Sequence, residues 1–145
     1  MRRRYDAQMF ITTLPAWIDE DAVVVGDGGK EVVGARWVAP RKAMEMVKTG
    51  DIVLFPPQMY LVSHVAECLS EGGGEDERKR LWERVGEIGG YVCEPRREAV
   101  LDNGTWVMGL GERGDRSVQV HLEMPKGKVG EPRAVAVEKR VKERL

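Results

Sequence analysis

Two histidines and two cysteines in 145 residues leave little material for several kinds of chemistry. Around His64 and His121 there is no Cys, Asp or Glu at a metal-ligand spacing, apart from Glu67 three residues after His64. A His-x-x-Glu pair on one helix needs further ligands before it can hold an ion. Both histidines therefore read as solvated surface residues. No Gly-x-Ser-x-Gly elbow and no Cys-x-x-Cys pair occurs. Gly26-Asp27-Gly28-Gly29 lacks the Lys-Ser/Thr and the following helix of a phosphate loop, so it reads as a turn. Cys68 and Cys93 sit on apolar positions far apart and read as buried thiols in a reducing compartment, with one disulfide as the alternative.

Net charge is equally scarce. A chain at −1 gives no electrostatic case for nucleic acid or an anionic membrane. No apolar run approaches the roughly 20 residues of a membrane helix. Met1-Arg2-Arg3-Arg4-Tyr5-Asp6 has positive charge but no apolar stretch after it, so it is no secretory signal. Glu143-Arg144-Leu145 matches a peroxisomal tripeptide at two positions only. The expectation is a soluble intracellular protein, cytoplasmic rather than peroxisomal or mitochondrial. With 42% hydrophobic and 32% charged residues, one domain with a real core fits the length.

What the chain does have is organised around Asp51–Leu69. Ile52 to Phe55 are apolar and run into Pro56-Pro57, which ends a strand and presets the first turn of a helix. Beyond Gln58 a helical stripe, Met59, Val62, Ala66 and Leu69, is widened by Leu61, Val65 and Cys68. Tyr60, His64, Glu67 and Glu71 fall on the opposite, outward face.

Upstream, Ala7–Leu14 is apolar on both faces, as a central strand would be, and ends at Pro15. A central strand so close to the first residue implies that other elements precede it. Ala22–Val25 and Val32–Val38 read as strands around the glycine turn. Pro40 opens a helix with Ala43, Met46 and Val47 inward and Gly50 as its stop.

Downstream, Glu71–Asp76 reads as a flexible connector and Glu77–Ile88 as an amphipathic helix buried through Leu81, Val85 and Ile88. The rest is β. Arg97–Leu101 and Thr105–Leu110 flank the hairpin signal Asp102-Asn103-Gly104. Ser117–Met124 and Ala134–Val141 alternate apolar with polar residues on either side of a polar loop, Pro125–Pro132. One apolar face per strand describes an antiparallel meander, packed on one side and wet on the other.

Three segments in order carry a family likeness: Arg4-Tyr-Asp-Ala-Gln-Met-Phe10, Glu31-Val-Val-Gly-Ala-Arg-Trp-Val-Ala-Pro40 and Ile52-Val-Leu-Phe-Pro-Pro-Gln-Met-Tyr60. Together, over residues 4 to about 69, they resemble the part of a Nudix hydrolase that follows its catalytic helix. The subgroup is similar to the coenzyme A diphosphatases and their fungal relatives, whose C-terminal extension the β-rich tail also resembles. The fold this implies is α+β: a partial Nudix-type α/β/α sandwich with a mixed sheet, plus a C-terminal antiparallel β-meander. Residues 1–71 would supply the Nudix-like core, 72–90 the loop and helix, and 91–145 the extension, all in one domain.

The family's box of glutamates is absent. Trp82-Glu-Arg-Val-Gly-Glu-Ile-Gly89 fits only the end of the pattern, with Trp82 in place of Arg and Gly86 in place of a ligand Glu, and it lies on the wrong side of the Pro-Pro-Gln signature. Intact relatives would use Mg²⁺ or Mn²⁺ on those glutamates to cleave nucleoside diphosphate-linked or coenzyme A-type substrates. The resemblance therefore implies a truncated or degenerate member, inactive alone, without catalytic or metal-binding residues and without a cofactor of its own. It would keep only substrate-side residues: Arg4, in the Arg2-Arg3-Arg4 cluster, for a phosphate, and Gln58 and Tyr60 for a base or thioester. The residues alone assign Gln58 to capping a helix and Tyr60 to covering apolar surface. The rival expectation is a non-catalytic ligand-binding or protein-interaction module, with self-association through sheet edges as a third.

Overall fold

The computed structural model describes residues 8–15, 17–18, 36–70, 74–123 and 133–140. The chain divides into two compact units, residues 1–37 and 38–145.

In the first unit the expected strand Ala7–Leu14 is not formed: residues 8–15 carry no regular secondary structure. Phe10 is exposed over 87% of its surface, and Met9 and Leu14 are exposed as well. An apolar residue on each face suits a strand only if neighbours cover both faces, and no ladder partner reaches this segment among the described residues. The strand expected at Ala22–Val25 and the start of that at Val32–Val38 lie outside the described residues; Arg36 to Val38 are irregular.

The second unit is α+β. Helix α1 spans Pro40–Thr49, α2 Pro56–Cys68 and α3 Glu75–Ile88, followed by strands β1 Arg96–Val100, β2 Trp106–Gly109, β3 Val118–Glu123 and β4 Arg133–Lys139. The strands form one antiparallel sheet in the order β1-β2-β3-β4. That is the expected meander. A mixed sheet is not found among the described residues.

Local chemistry explains the helix limits. Pro40 sits at the first turn of α1, where its missing N–H costs nothing. Gly50 closes the helix at φ 82°, and the amides of Gly50 and Asp51 return to the carbonyls of Val47 and Met46. Such a left-handed stop favours a residue without Cβ. Helix α3 begins two residues earlier than expected, and its first turn places Glu75, Asp76 and Glu77 at the positive end of the helix dipole. The β1–β2 hairpin turns at Asp102–Gly104, with Gly104 at φ 85° and the Asn103 side chain accepting from the Thr105 amide.

Between Asp51 and Phe55 the chain carries no regular secondary structure, with Ile52 and Leu54 half-buried and Val53 and Phe55 exposed. It is not a strand of the sheet, although the Ala134 amide donates to the Leu54 carbonyl at 3.3 Å. The core lies between the helices and one sheet face. Val47 of α1 and Met59 and Tyr60 of α2 meet Leu110, Val118, Val120, Leu122 and Ala134. Fully burying each large apolar side chain there contributes about 1.5–3 kcal/mol.

Candidate functional site

Helix α2 presents to the core a different face from the one its apolar pattern suggests. Pro56, Met59, Tyr60, Ser63 and His64 are buried, at i, i+3, i+4, i+7 and i+8. Tyr60 and His64, expected to point outward, are 1% and 8% exposed. Val62 and Ala66, expected at the centre of the buried stripe, are only half-buried. The helix is apolar around most of its circumference, so hydrophobicity alone did not orient it. A polar partner across the core did.

That partner is Asp115, in the connection between β2 and β3. The Tyr60 hydroxyl donates to its Oδ2 at 3.0 Å, within the core. Its other oxygen accepts from the Ser117 amide at 2.9 Å and from the Ser117 hydroxyl at 2.6 Å, an Asx-type turn leading into β3. Burial pushes the Asp115 carboxyl up, but the bonds from Ser117 and Tyr60 outweigh it and hold the group below its usual range. Burial, reinforced by the Asp115 hydrogen bond and charge, drives the Tyr60 phenol far above its own. A buried carboxylate is tolerable here because three donors serve its two oxygens.

His64 stacks edge-on against Tyr60, with ring centroids 4.5 Å apart. Neither ring nitrogen has a hydrogen-bond partner. A carboxylate oxygen of Glu67 lies 3.9 Å from Nδ1. Burial holds its pKa below the ordinary value, against the opposing pull of Glu67. Cys93, half-buried, feels the Asp115 charge, and burial pushes its thiol up. It forms no disulfide with Cys68; both thiols are free.

Tyrosine, histidine, cysteine and aspartate thus surround one spot, but not as a nucleophile and base. The Cys93 thiol is held protonated, where an active cysteine needs a lowered pKa. Asp115 is engaged by Tyr60 and Ser117 rather than orienting the imidazole. The cluster ties α2 to the turn before β3.

The expected substrate-side residues are not brought together. Arg4 lies outside the described residues. Gln58 is exposed, and its Oε1 accepts from the Phe55 amide at 2.9 Å, capping the start of α2. Tyr60 faces the core two residues later. Nor does the start of α2 offer a ring of amides for phosphate, since its first two positions are Pro56 and Pro57. In the fragment resembling the end of a Nudix box, Glu83 and Glu87 are exposed, and Glu87 pairs with Arg84 at 2.7 Å. No group of three His, Cys, Asp or Glu able to hold a metal ion occurs among the described residues. No helix among them is long and apolar enough to cross a membrane.

His121, also expected on a solvated face, is mostly covered. Its Nε2 lies 3.2 Å from the Gln119 amide nitrogen and 3.5 Å from Glu138 of β4. Sequence reasoning missed His64, Ser63, Asp115 and Ser117 as participants. The Asp115-x-Ser117 turn signal was available for the last two. For His64 the signal was the alternative helical stripe starting at Pro56.

No family model matches the chain, and neither a curated protein nor a solved structure is found to be similar to it.

Proposed function

We propose that the chain acts by binding rather than by turnover, as a non-catalytic interaction module whose sequence segments over residues 4 to about 69 resemble the later part of a Nudix protein. One observation carries this reading: the polar side chains offered for chemistry are spent on the fold. The Tyr60 hydroxyl serves Asp115, and the Gln58 carbonyl serves the Phe55 amide. Large apolar groups are left facing outward instead, Val53 and Phe55 beside the start of α2, Trp82 on α3, and Tyr91 and Val92 after it. Exposed aromatic and aliphatic side chains are the usual currency of protein contacts.

The second reading, a diphosphohydrolase part acting on coenzyme A-type or nucleoside diphosphate-linked substrates, is favoured by the three ordered segments ending in Ile52–Tyr60. Incubation with coenzyme A and with dinucleotides in the presence of Mg²⁺ or Mn²⁺, beside equilibrium titration of the same compounds, separates the two. Binding without products is expected of a ligand-binding module, and neither binding nor products of one that recognises protein. Hydrolysis at a rate proportional to the concentration of purified chain would overturn the proposal.

A further inference from the structure

The feature the fold leaves unexplained is the imidazole of His64. It is 8% exposed, and both of its nitrogens lack a hydrogen-bond partner. Buried polar groups in folded proteins nearly always find a partner. A neutral ring left so costs free energy that an apolar side chain of the same size would not.

The charged groups around the ring come from each side of α2. Glu67 lies on the same helix, Arg84 on α3, Asp115 ahead of β3 and Lys139 on β4. From α1, Arg41 reaches across to the Ala66 carbonyl at 3.3 Å. The core-facing residues of β3 are Val118, Val120 and Leu122. Burial is the main obstacle to a protonated ring; Arg84 and Lys139 add to it, against the attraction of Glu67 and Asp115. Asp115 attracts it, but its oxygens already hold Tyr60 and Ser117. Glu67 is the available acceptor, 3.9 Å from Nδ1 and with its own side chain 54% exposed.

We propose that His64 is an acid-operated release for the α2–α3 pair. Proton uptake draws the ring from the core toward Glu67, and α3, which packs on α2, loosens while the sheet stays formed. The first half of α2 remains anchored through Tyr60 and Asp115, so opening is confined to the half that carries His64 and to α3.

Burial lowers the affinity of the folded ring for a proton relative to the unfolded chain. The unfolded or opened form then binds more protons, and the hold on α3 weakens as pH falls through about 6.5 toward the lower folded value. Above about 6.5 the hold is complete.

Amide hydrogen exchange on the full chain at pH 7.5 and 5.0, corrected for intrinsic rates, tests this directly. The ratio of protection in β3 to protection in α3 should rise at least tenfold on acidification. In the His64→Leu variant the ratio should change less than twofold. Imidazole resonances followed over the same range supply a readout that does not depend on the variant folding, and the His64 signal should titrate below 6.5. Parallel loss of protection in α3 and β3, a His64 signal titrating above 6.5, or an unchanged pH response in a folded His64→Leu variant would each overturn the proposal.

Discussion

Helix α2 and strand β3 lie against each other across the core, and their sequences reveal their orientation very unequally. In β3, Val118, Val120 and Leu122 are buried while Gln119 and His121 are half-covered and Glu123 is exposed. A period of two leaves one choice of face, and the apolar residues make it. In α2 almost any face would bury apolar groups, so the choice fell to a single polar contact, Tyr60 to Asp115. Where hydrophobic pattern is unambiguous it orients an element. Where it is nearly uniform, the rarer polar group decides, because leaving that group unpaired in the core costs more than exchanging one methyl for another.

The largest test of this contrast falls on β3. Val120 is completely buried at the middle of the sheet, opposite Met108 on one side and Val137 on the other. Val120→Asp places a carboxylate among apolar side chains with no donor in reach, a change costing several kcal/mol. Loss of the cooperative thermal transition by circular dichroism is the expected result. A folded Val120→Asp variant would mean that the sheet's apolar face is not what holds the unit together.

A smaller effect is expected where the polar contact orients α2. Tyr60→Phe keeps the ring and strips the donor from Asp115 Oδ2. Leaving that oxygen unserved should lower stability by about 1–3 kcal/mol in urea denaturation at pH 7. The pH dependence has a definite sign. Because the folded Asp115 carboxyl lies below its usual range, its contribution is complete above about 3.9 and is lost as pH falls through the folded value. The difference between wild type and Tyr60→Phe should therefore shrink below about pH 4. A difference that stays constant down to pH 3 would remove Asp115 from the account.

The same contrast explains how much of the molecule was legible in its sequence. The helix starting at Pro40 and its stop at Gly50, the Asp102–Gly104 turn and all four strands of the meander follow from local rules, since proline, glycine and alternation act within a few residues. The face of α2 did not, because it depends on Asp115, 55 residues away. Ala7–Leu14 was misread for the related reason that alternation states what a strand would need, not whether a neighbouring strand exists to pair with it. Of the candidate site, Gln58 caps the start of α2, the role the residues alone assigned it, whereas Tyr60, read as a cover on the outward face, is buried in the core and donates to Asp115. His64 was read as solvated because it falls opposite the stripe of Met59, Val62 and Ala66, and Asp115 was not singled out at all.

The smallest expected effect sharpens the comparison at the other end of α2. Gln58 stands at the third helical position, and its side chain reaches back to the Phe55 amide, half of a capping box whose other half is missing because Phe55 has no acceptor. Pro56 and Pro57 remove two of the four amides without a helical partner, and of the remaining two, those of Phe55 and Gln58, the Gln58 side chain serves the first. Gln58→Ala should cost about 0.5–1 kcal/mol, within the range of single caps and below that of Tyr60→Phe. A residue that recognised a base or thioester would behave differently: its replacement would weaken coenzyme A binding while leaving the melting temperature where it was. Measuring both on one variant separates cap from contact. A melting temperature lowered by a few degrees with no change in the coenzyme A titration is the outcome that the geometry of this helix start requires.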